Sequence, residues 1–129
     1  MRSFILAIKK FPEFRRKDID RGIMEREAVT LIDCIRSSLF TSRGIRRDVS
    51  VFIYAPQNRG RLVRIDGKEL RYMGPDERSI SILLSMAVDS LTSERVGNEI
   101  SSPGIIVIRK VQASVAVDEN PIVLYQSAK

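Results

Sequence analysis

Ala28-Val29-Thr30-Leu31-Ile32-Asp33-Cys34-Ile35-Arg36-Ser37-Ser38-Leu39, followed ten positions on by Val49-Ser50-Val51-Phe52-Ile53-Tyr54-Ala55, decides how this chain folds. In the first run Ala28, Leu31, Ile32, Ile35 and Leu39 recur at the spacing that lines up side chains on one face of a helix. The second run is apolar at nearly every position and closed by Pro56, as expected of a strand buried on both faces. The pattern predicts a helix from about Glu25 to Arg43. Glu25 and Glu27 would lie at its positive end and Arg43 at its negative end, with Gly44 as its stop.

Outward from this pair the alternation continues. Residues 2–8 precede it as a short apolar strand. Phe11 to Gly22 is a polar connection, in which Phe11-Pro12 prevents the strand from running on. Downstream, Gln57-Asn58-Arg59-Gly60 is a turn. Leu62-Val63-Arg64-Ile65 and Glu69-Leu70-Arg71-Tyr72 then flank Asp66-Gly67, which is a hairpin signal. Pro75 opens a second helix with Asp76 and Glu77 in its first turn. Its apolar face is Ile80, Leu83, Leu84, Ala87, Val88 and Leu91. Thr92 to Pro103 is polar, and Ile105 to Ile108, Ser114 to Val117 and Ile122 to Tyr125 read as extended. Strand, helix, strand, helix, strand predicts an α/β fold: a single domain over residues 1–129, with a mainly parallel sheet, flanking helices and a small β-hairpin.

The composition excludes several chemistries. A chain of 129 residues with 43% hydrophobic content fits one domain with its own core. No run reaches the length of a membrane span, so no membrane partner is expected. The opening Met1 to Lys10 has an apolar core of only about five residues and no small-residue cleavage site, which suits a buried strand better than a signal peptide. Cys34 is the single cysteine. It excludes an internal disulfide framework and fits a reducing cytoplasm. Its place beside Ile35 reads as packing rather than as a reactive thiol. With no histidine, imidazole catalysis and His-based metal sites are excluded, and no metal is expected. There is no G-x-G-x-x-G or Walker sequence after any predicted strand.

The charge balance points toward a polyanion. Lys and Arg total 22 against 16 Asp and Glu, a formal net charge of +6. Such an excess attracts RNA or DNA in a salt-dependent way. Arginine dominates over lysine, and planar guanidinium groups suit bidentate phosphate contacts and base stacking.

Two charged runs lie where one element gives way to the next: Ser42-Arg43-Gly44-Ile45-Arg46-Arg47-Asp48-Val49 and Gly74-Pro75-Asp76-Glu77-Arg78. Arg46, Arg47 and Asp48 read either as a solvated cluster with an internal ion pair or as a phosphate-binding sheet edge. Asp76, Glu77 and Arg78 read either as ordinary first-turn residues of a helix or as groups that face a ligand.

Three segments in register resemble one family. They are Phe40-Thr41-Ser42-Arg43-Gly44-Ile45-Arg46-Arg47-Asp48-Val49, Met73-Gly74-Pro75-Asp76-Glu77-Arg78-Ser79-Ile80 and Ser101-Ser102-Pro103-Gly104-Ile105-Ile106-Val107. With the opening Met1-Arg2-Ser3-Phe4-Ile5, they are similar to the archaeal tRNA pseudouridine N1-methyltransferases of the SPOUT class, over roughly residues 1–109. The resemblance implies a homodimeric, cytoplasmic enzyme that uses S-adenosylmethionine to methylate N1 of a pseudouridine in the tRNA T-loop. It implies that Arg43, Arg46, Arg47 and Arg78 face the RNA. The N1–H of pseudouridine is weakly acidic, so a carboxylate, Asp48 or Asp76, would take its proton while Arg46 or Arg47 steadies the developing anion. In the family a C-terminal knot grips the methyl donor, and that segment is expected to be lacking from this chain. The alternative is a shortened, non-catalytic RNA-binding or dimerisation module of the same family.

Overall fold

In chain order the elements are β1 (Arg2–Ala7), α1 (Arg16–Arg21), α2 (Arg26–Leu39), β2 (Phe40–Thr41), β3 (Gly44–Ile45), β4 (Val49–Tyr54), β5 (Leu62–Asp66), α3 (Glu77–Thr92), β6 (Glu99–Ser102), β7 (Ile105–Ile108) and β8 (Ile122–Gln126). They come from a computed structural model that describes residues 2–56, 61–93 and 97–109 and the backbone of 122–126. The expected turn at 57–60 and the extended segment at 114–117 lie outside the described residues.

Six strands form one sheet in the order β6-β7-β5-β4-β1-β8. β1 pairs in parallel with β4 and β8, whereas β5 runs antiparallel between β4 and β7, and β6 antiparallel to β7. β1, β4, β7 and β8 therefore share one direction, within the α/β class expected from the alternation.

One face of the sheet carries the helices. Phe4 and Leu6 of β1, Val51 and Ile53 of β4, Val63 and Ile65 of β5, and Ile105 and Val107 of β7 alternate toward this side. They meet Leu31, Ile32, Ile35 and Leu39 of α2 and Ile80, Leu84, Ala87 and Leu91 of α3. These are the helix positions that the three- and four-residue spacing selected. Each large aliphatic side chain buried here stabilises the fold by about 1.5–3 kcal/mol. On the opposite face Phe52, Leu62 and Ile108 form a smaller cluster with Ile5 and Ile106. Arg64 crosses that face with its guanidinium 5.5 Å from the Phe52 ring centroid.

Four local expectations are corrected. α2 stops at Leu39, not Arg43, because Phe40-Thr41 pairs antiparallel with Gly44-Ile45 in a tight ribbon. Gly44, at φ 119°, serves that ribbon's turn rather than capping the helix. The hairpin is this one, and not a hairpin at Asp66-Gly67. β5 already has a partner on each side, which leaves no edge for residues 69–72 to pair with. The amides of Glu69 and Leu70 instead turn back to the Asp66 carbonyl, and Leu70 and Met73 enter the core. The polar connection before α2 contains the short helix α1, closed by Gly22 at φ 68°. The polar stretch before Pro103 contains the edge strand β6.

Candidate nucleic-acid interface

β1 and β4 begin, β5 ends and β7 begins at the same end of the sheet, and this convergence gathers the sequence motifs. The Arg2 amide donates to the Asp48 carbonyl at 2.8 Å, the Gly67 amide to the Val49 carbonyl at 2.8 Å, and the Asp66 amide to the Gly104 carbonyl at 2.7 Å. Arg47 Nη1 donates to the carbonyls of Gly67 (2.9 Å) and Leu70 (2.7 Å). The turn at Asp66–Leu70 is thus bonded both to the Arg46–Val49 run and to Gly104.

Two glycines make this approach possible. A Cβ on Gly67 would fall 2.2 Å from the Arg46 carbonyl oxygen, and one on Gly104, at φ 87°, would fall 2.5 Å from the Leu70 Cα. No other residue type fits either place without moving backbone.

Cations surround this edge. Arg2, Arg43, Arg47, Lys68 and Arg71 are exposed and Arg46 is half-buried. None of the six forms an ion pair among the described residues. Asp48 is exposed, and its carboxylate has no hydrogen bond among the described residues. Asp66, by contrast, accepts from the Lys68 amide at 3.2 Å and pairs with Arg64 at 3.5 Å.

Asp76 and Arg78 sit at the start of α3. Asp76 is the N-cap of that helix: Oδ2 accepts from the Ser79 amide and Oδ1 from Ser79 Oγ, both at 2.9 Å. These hydrogen bonds hold its carboxyl below the ordinary value of 3.8, and the charge of Arg36 adds to the effect. Arg78 pairs with Asp20 of α1, which also accepts from Arg16. The hydrogen bond from Arg78 is the main cause that lowers the Asp20 carboxyl below its ordinary value. The structure therefore brings Arg46, Arg47 and Asp48 together with the Asp66–Leu70 turn and Gly104, with Arg43 nearby in the β2–β3 ribbon. It gives Asp76 and Arg78 partners of their own at the head of α3.

Two arginines with no local sequence signal hold the other end of α3. Arg61 Nη1 donates to the carbonyls of Leu91 (2.7 Å) and Ser93 (3.0 Å). Arg109 donates to the Ser90 and Gly97 carbonyls and to Glu99 at 2.8 Å, with its side chain only 4% exposed. Both partner sets lie far along the chain, beyond the reach of periodicity or motif spacing.

The filled glycines around the sheet edge offer S-adenosylmethionine no cradle. A donor cradle needs backbone that a ligand can approach closely; the close approaches at Gly67, Gly74 and Gly104 are filled by Arg46, Asp76 and Leu70, whereas Gly22, Gly44 and Gly97 are open. A cleft of about 540 Å³ does lie between the Lys10–Arg15 segment and α3, but no glycine lines it. Among the described residues no three His, Cys, Asp or Glu side chains form a metal-binding group. No helix among them is long and apolar enough to cross a membrane.

A family model described as "Putative SAM-dependent RNA methyltransferase" matches residues 1–125. Among curated proteins, the chain is similar to the tRNA (pseudouridine(54)-N(1))-methyltransferase of Halobacterium salinarum, 40% identical over 115 residues that cover 85% of this chain and 56% of that protein. The protein of the same name from Methanococcoides burtonii is 35% identical over 112 residues, 83% of this chain and 54% of the relative. That from Haloferax volcanii is 34% identical over 114 residues, with 84% and 55% covered. The chain spans about half the length of these curated relatives.

Proposed function

The chain belongs to the "Putative SAM-dependent RNA methyltransferase" family, and on that premise we propose that it supplies the RNA-facing side of a SPOUT-class tRNA pseudouridine N1-methyltransferase. The observation that carries this reading is the cationic edge around the Arg46–Asp48 run, whose side chains lack ion-pair partners among the described residues. Unpaired guanidinium groups at a rigid sheet end are suited to phosphate oxygens. Arg43 and Arg46 are the freest of the predicted contacts. Arg47 has one guanidinium nitrogen committed to the Asp66–Leu70 turn, and Arg78 has one paired with Asp20.

Asp48 is the carboxylate that suits proton removal from pseudouridine N1, because its oxygens are uncommitted. Asp76 suits it less well, since Ser79 engages both of its oxygens and favours the ionised form. Arg46 would stabilise the anion that forms. A methyl donor would be held away from the filled glycines Gly67, Gly74 and Gly104. The working protein is cytoplasmic and a homodimer in this reading.

One observation favours a second reading. The chain's own backbone and side chains fill the close approaches at Gly67, Gly74 and Gly104, as suits a non-catalytic RNA-binding or dimerisation module of the same family.

The test is equilibrium binding of a tRNA T-arm hairpin at low salt, together with calorimetric titration of S-adenosylmethionine. Saturable heat with the methyl donor supports the enzyme. RNA binding without such heat supports the module. If Arg43→Ala combined with Arg46→Ala leaves RNA affinity unchanged, the proposed edge is wrong.

A further inference from the structure

We infer that the cleft between the Lys10–Arg15 segment and the second half of α3 is a second RNA contact, which takes one unstacked nucleotide. The inference rests on the RNA reading above and adds a site remote from the Arg46–Asp48 edge.

The cleft has the dimensions and the walls for it. Its volume, about 540 Å³, falls within the range of sites that enclose small molecules. Lys10, Phe11, Phe14 and Arg15 form one wall, and Val88 and Asp89 stand opposite. Phe11 and Phe14 pack against the main core yet stay half-exposed. Rings anchored in this way are fixed apolar platforms on which a base can stack without ordering a loop first.

The cleft is lined by two cations, Lys10 and Arg15, and two carboxylates, Glu13 and Asp89, and the excess positive charge lies on the segment that forms its wall. Residues 9–17 carry five cations, Lys9, Lys10, Arg15, Arg16 and Lys17, against the single carboxylate of Glu13. Arg15 is paired with Glu13 at 3.0 Å, but both side chains are 70% exposed. Such a surface pair is weak and exchanges readily for phosphate. On the opposite wall Asp89 is an acceptor with no ion-pair partner among the described residues. It would repel phosphate and accept from base N–H groups. A nucleotide therefore enters in one sense, with its base toward Asp89 and α3 and its phosphate toward Lys10 and Arg15.

α3 links the two contacts. Asp76 caps its start beside Arg36, and Val88 lies twelve residues on, a rise of about 18 Å. Arg78, Ile82, Ser85 and Asp89 follow at three- and four-residue spacing along one face. Arg78, at the start of that face, is paired with Asp20 of α1, so an RNA that joins the two contacts passes over α1.

The experiment measures T-arm hairpin affinity by fluorescence anisotropy for the unsubstituted chain and four variants, and maps ultraviolet crosslinks by mass spectrometry. Lys10→Ala with Arg15→Ala removes the phosphate wall, Ser85→Trp fills the cleft, and Arg43→Ala with Arg46→Ala tests the edge. Each cleft variant is expected to weaken binding about fivefold or more, the lower end of what one stacked base contributes. Crosslinks are expected on the peptide carrying Phe11 and Phe14, and Lys10→Arg with Arg15→Lys should restore affinity. If only the edge variant weakens binding and crosslinks avoid residues 10–15, the cleft is not a contact and the RNA reading stands. If the unsubstituted chain shows no saturable binding, both fall. Should Ser85→Trp fail to fold, the exposed Lys10 and Arg15 pair decides the question.

Discussion

The Arg47 guanidinium lies 2.7 Å from the Leu70 carbonyl, and the same nitrogen also donates to Gly67. Arg46, next to it in the chain, has no side-chain hydrogen bond or ion pair among the described residues. Two adjacent arginines thus divide between tying down a turn and facing solvent.

This division gives a paired prediction. Arg47→Ala leaves two carbonyls without a charged donor and should cost about 1.5–3 kcal/mol of stability. Arg46→Ala should stay within about 1 kcal/mol and act on RNA affinity instead. Urea unfolding beside anisotropy separates the two, and equal destabilisation would remove the distinction.

The glycines make a second contrast. Gly67→Ala and Gly104→Ala push a methyl group into backbone 2.2 and 2.5 Å away. Each should destabilise by about 3 kcal/mol or more, since neither neighbour is a flexible side chain. Gly22→Ala at φ 68° meets nothing within 4 Å. It should cost only the left-handed backbone penalty of about 1–2 kcal/mol. Similar melting temperatures for all three would contradict this.

The Asp76 cap should appear as a pH effect. Its folded value lies below the ordinary 3.8, so folding favours the ionised form. That contribution is complete above 3.8 and is lost as pH falls through the lower folded value. Asp76→Asn keeps a good cap but does not titrate there. Below pH 3.8 the unsubstituted chain should therefore lose stability faster than Asp76→Asn. Asp76→Ala should cost about 1 kcal/mol at neutral pH. Unfolding curves across an acid series check both.

At the far end of α3, Arg109→Ala removes a nearly buried guanidinium from Glu99 and two backbone carbonyls. Because Glu99 keeps 31% of its side-chain exposure, the loss should be about 2–3 kcal/mol, at or below the low end of that for a fully buried pair. Reduced amide-exchange protection at Leu91 and Ser93, measured by mass spectrometry, would localise it.

If methyl transfer is the activity, Asp48→Asn should lower it about a hundredfold or more with RNA affinity retained. Asp76→Asn should change it little. The reverse order would move the base to the α3 cap.

The helix faces and the strands β1, β4, β5 and β7 were legible because periodicity reports burial directly. Leu31, Ile32, Ile35, Ile80, Leu84 and Leu91 are all fully or nearly fully buried. The end of α2 was misread because Gly44 satisfies the rule for a helix stop and the rule for a tight ribbon equally well. Asp66-Gly67 signalled a hairpin, but the signal carries no information on which strands already occupy the flanks of β5. At the candidate site, the Arg46–Asp48 run was visible as chemistry, whereas its bonds to Gly67 and Leu70 depend on residues about twenty positions away. Arg61 and Arg109 were invisible for the same reason. Phe11 and Phe14 looked like part of a polar connection, because two aromatics spaced by three residues without a helix have no periodic signature.

The position of β1 between β4 and β8 has a consequence during synthesis. β1 is made before both of its neighbours and has no strand to pair with until the residues of β4 have emerged. After that its other side stays open, a row of unsatisfied amides and carbonyls, until residues 122–126 leave the ribosome. An open row of this kind accepts any extended chain that reaches it. The nascent protein is therefore most vulnerable to aggregation along β1, until β8, made long after it, covers that side.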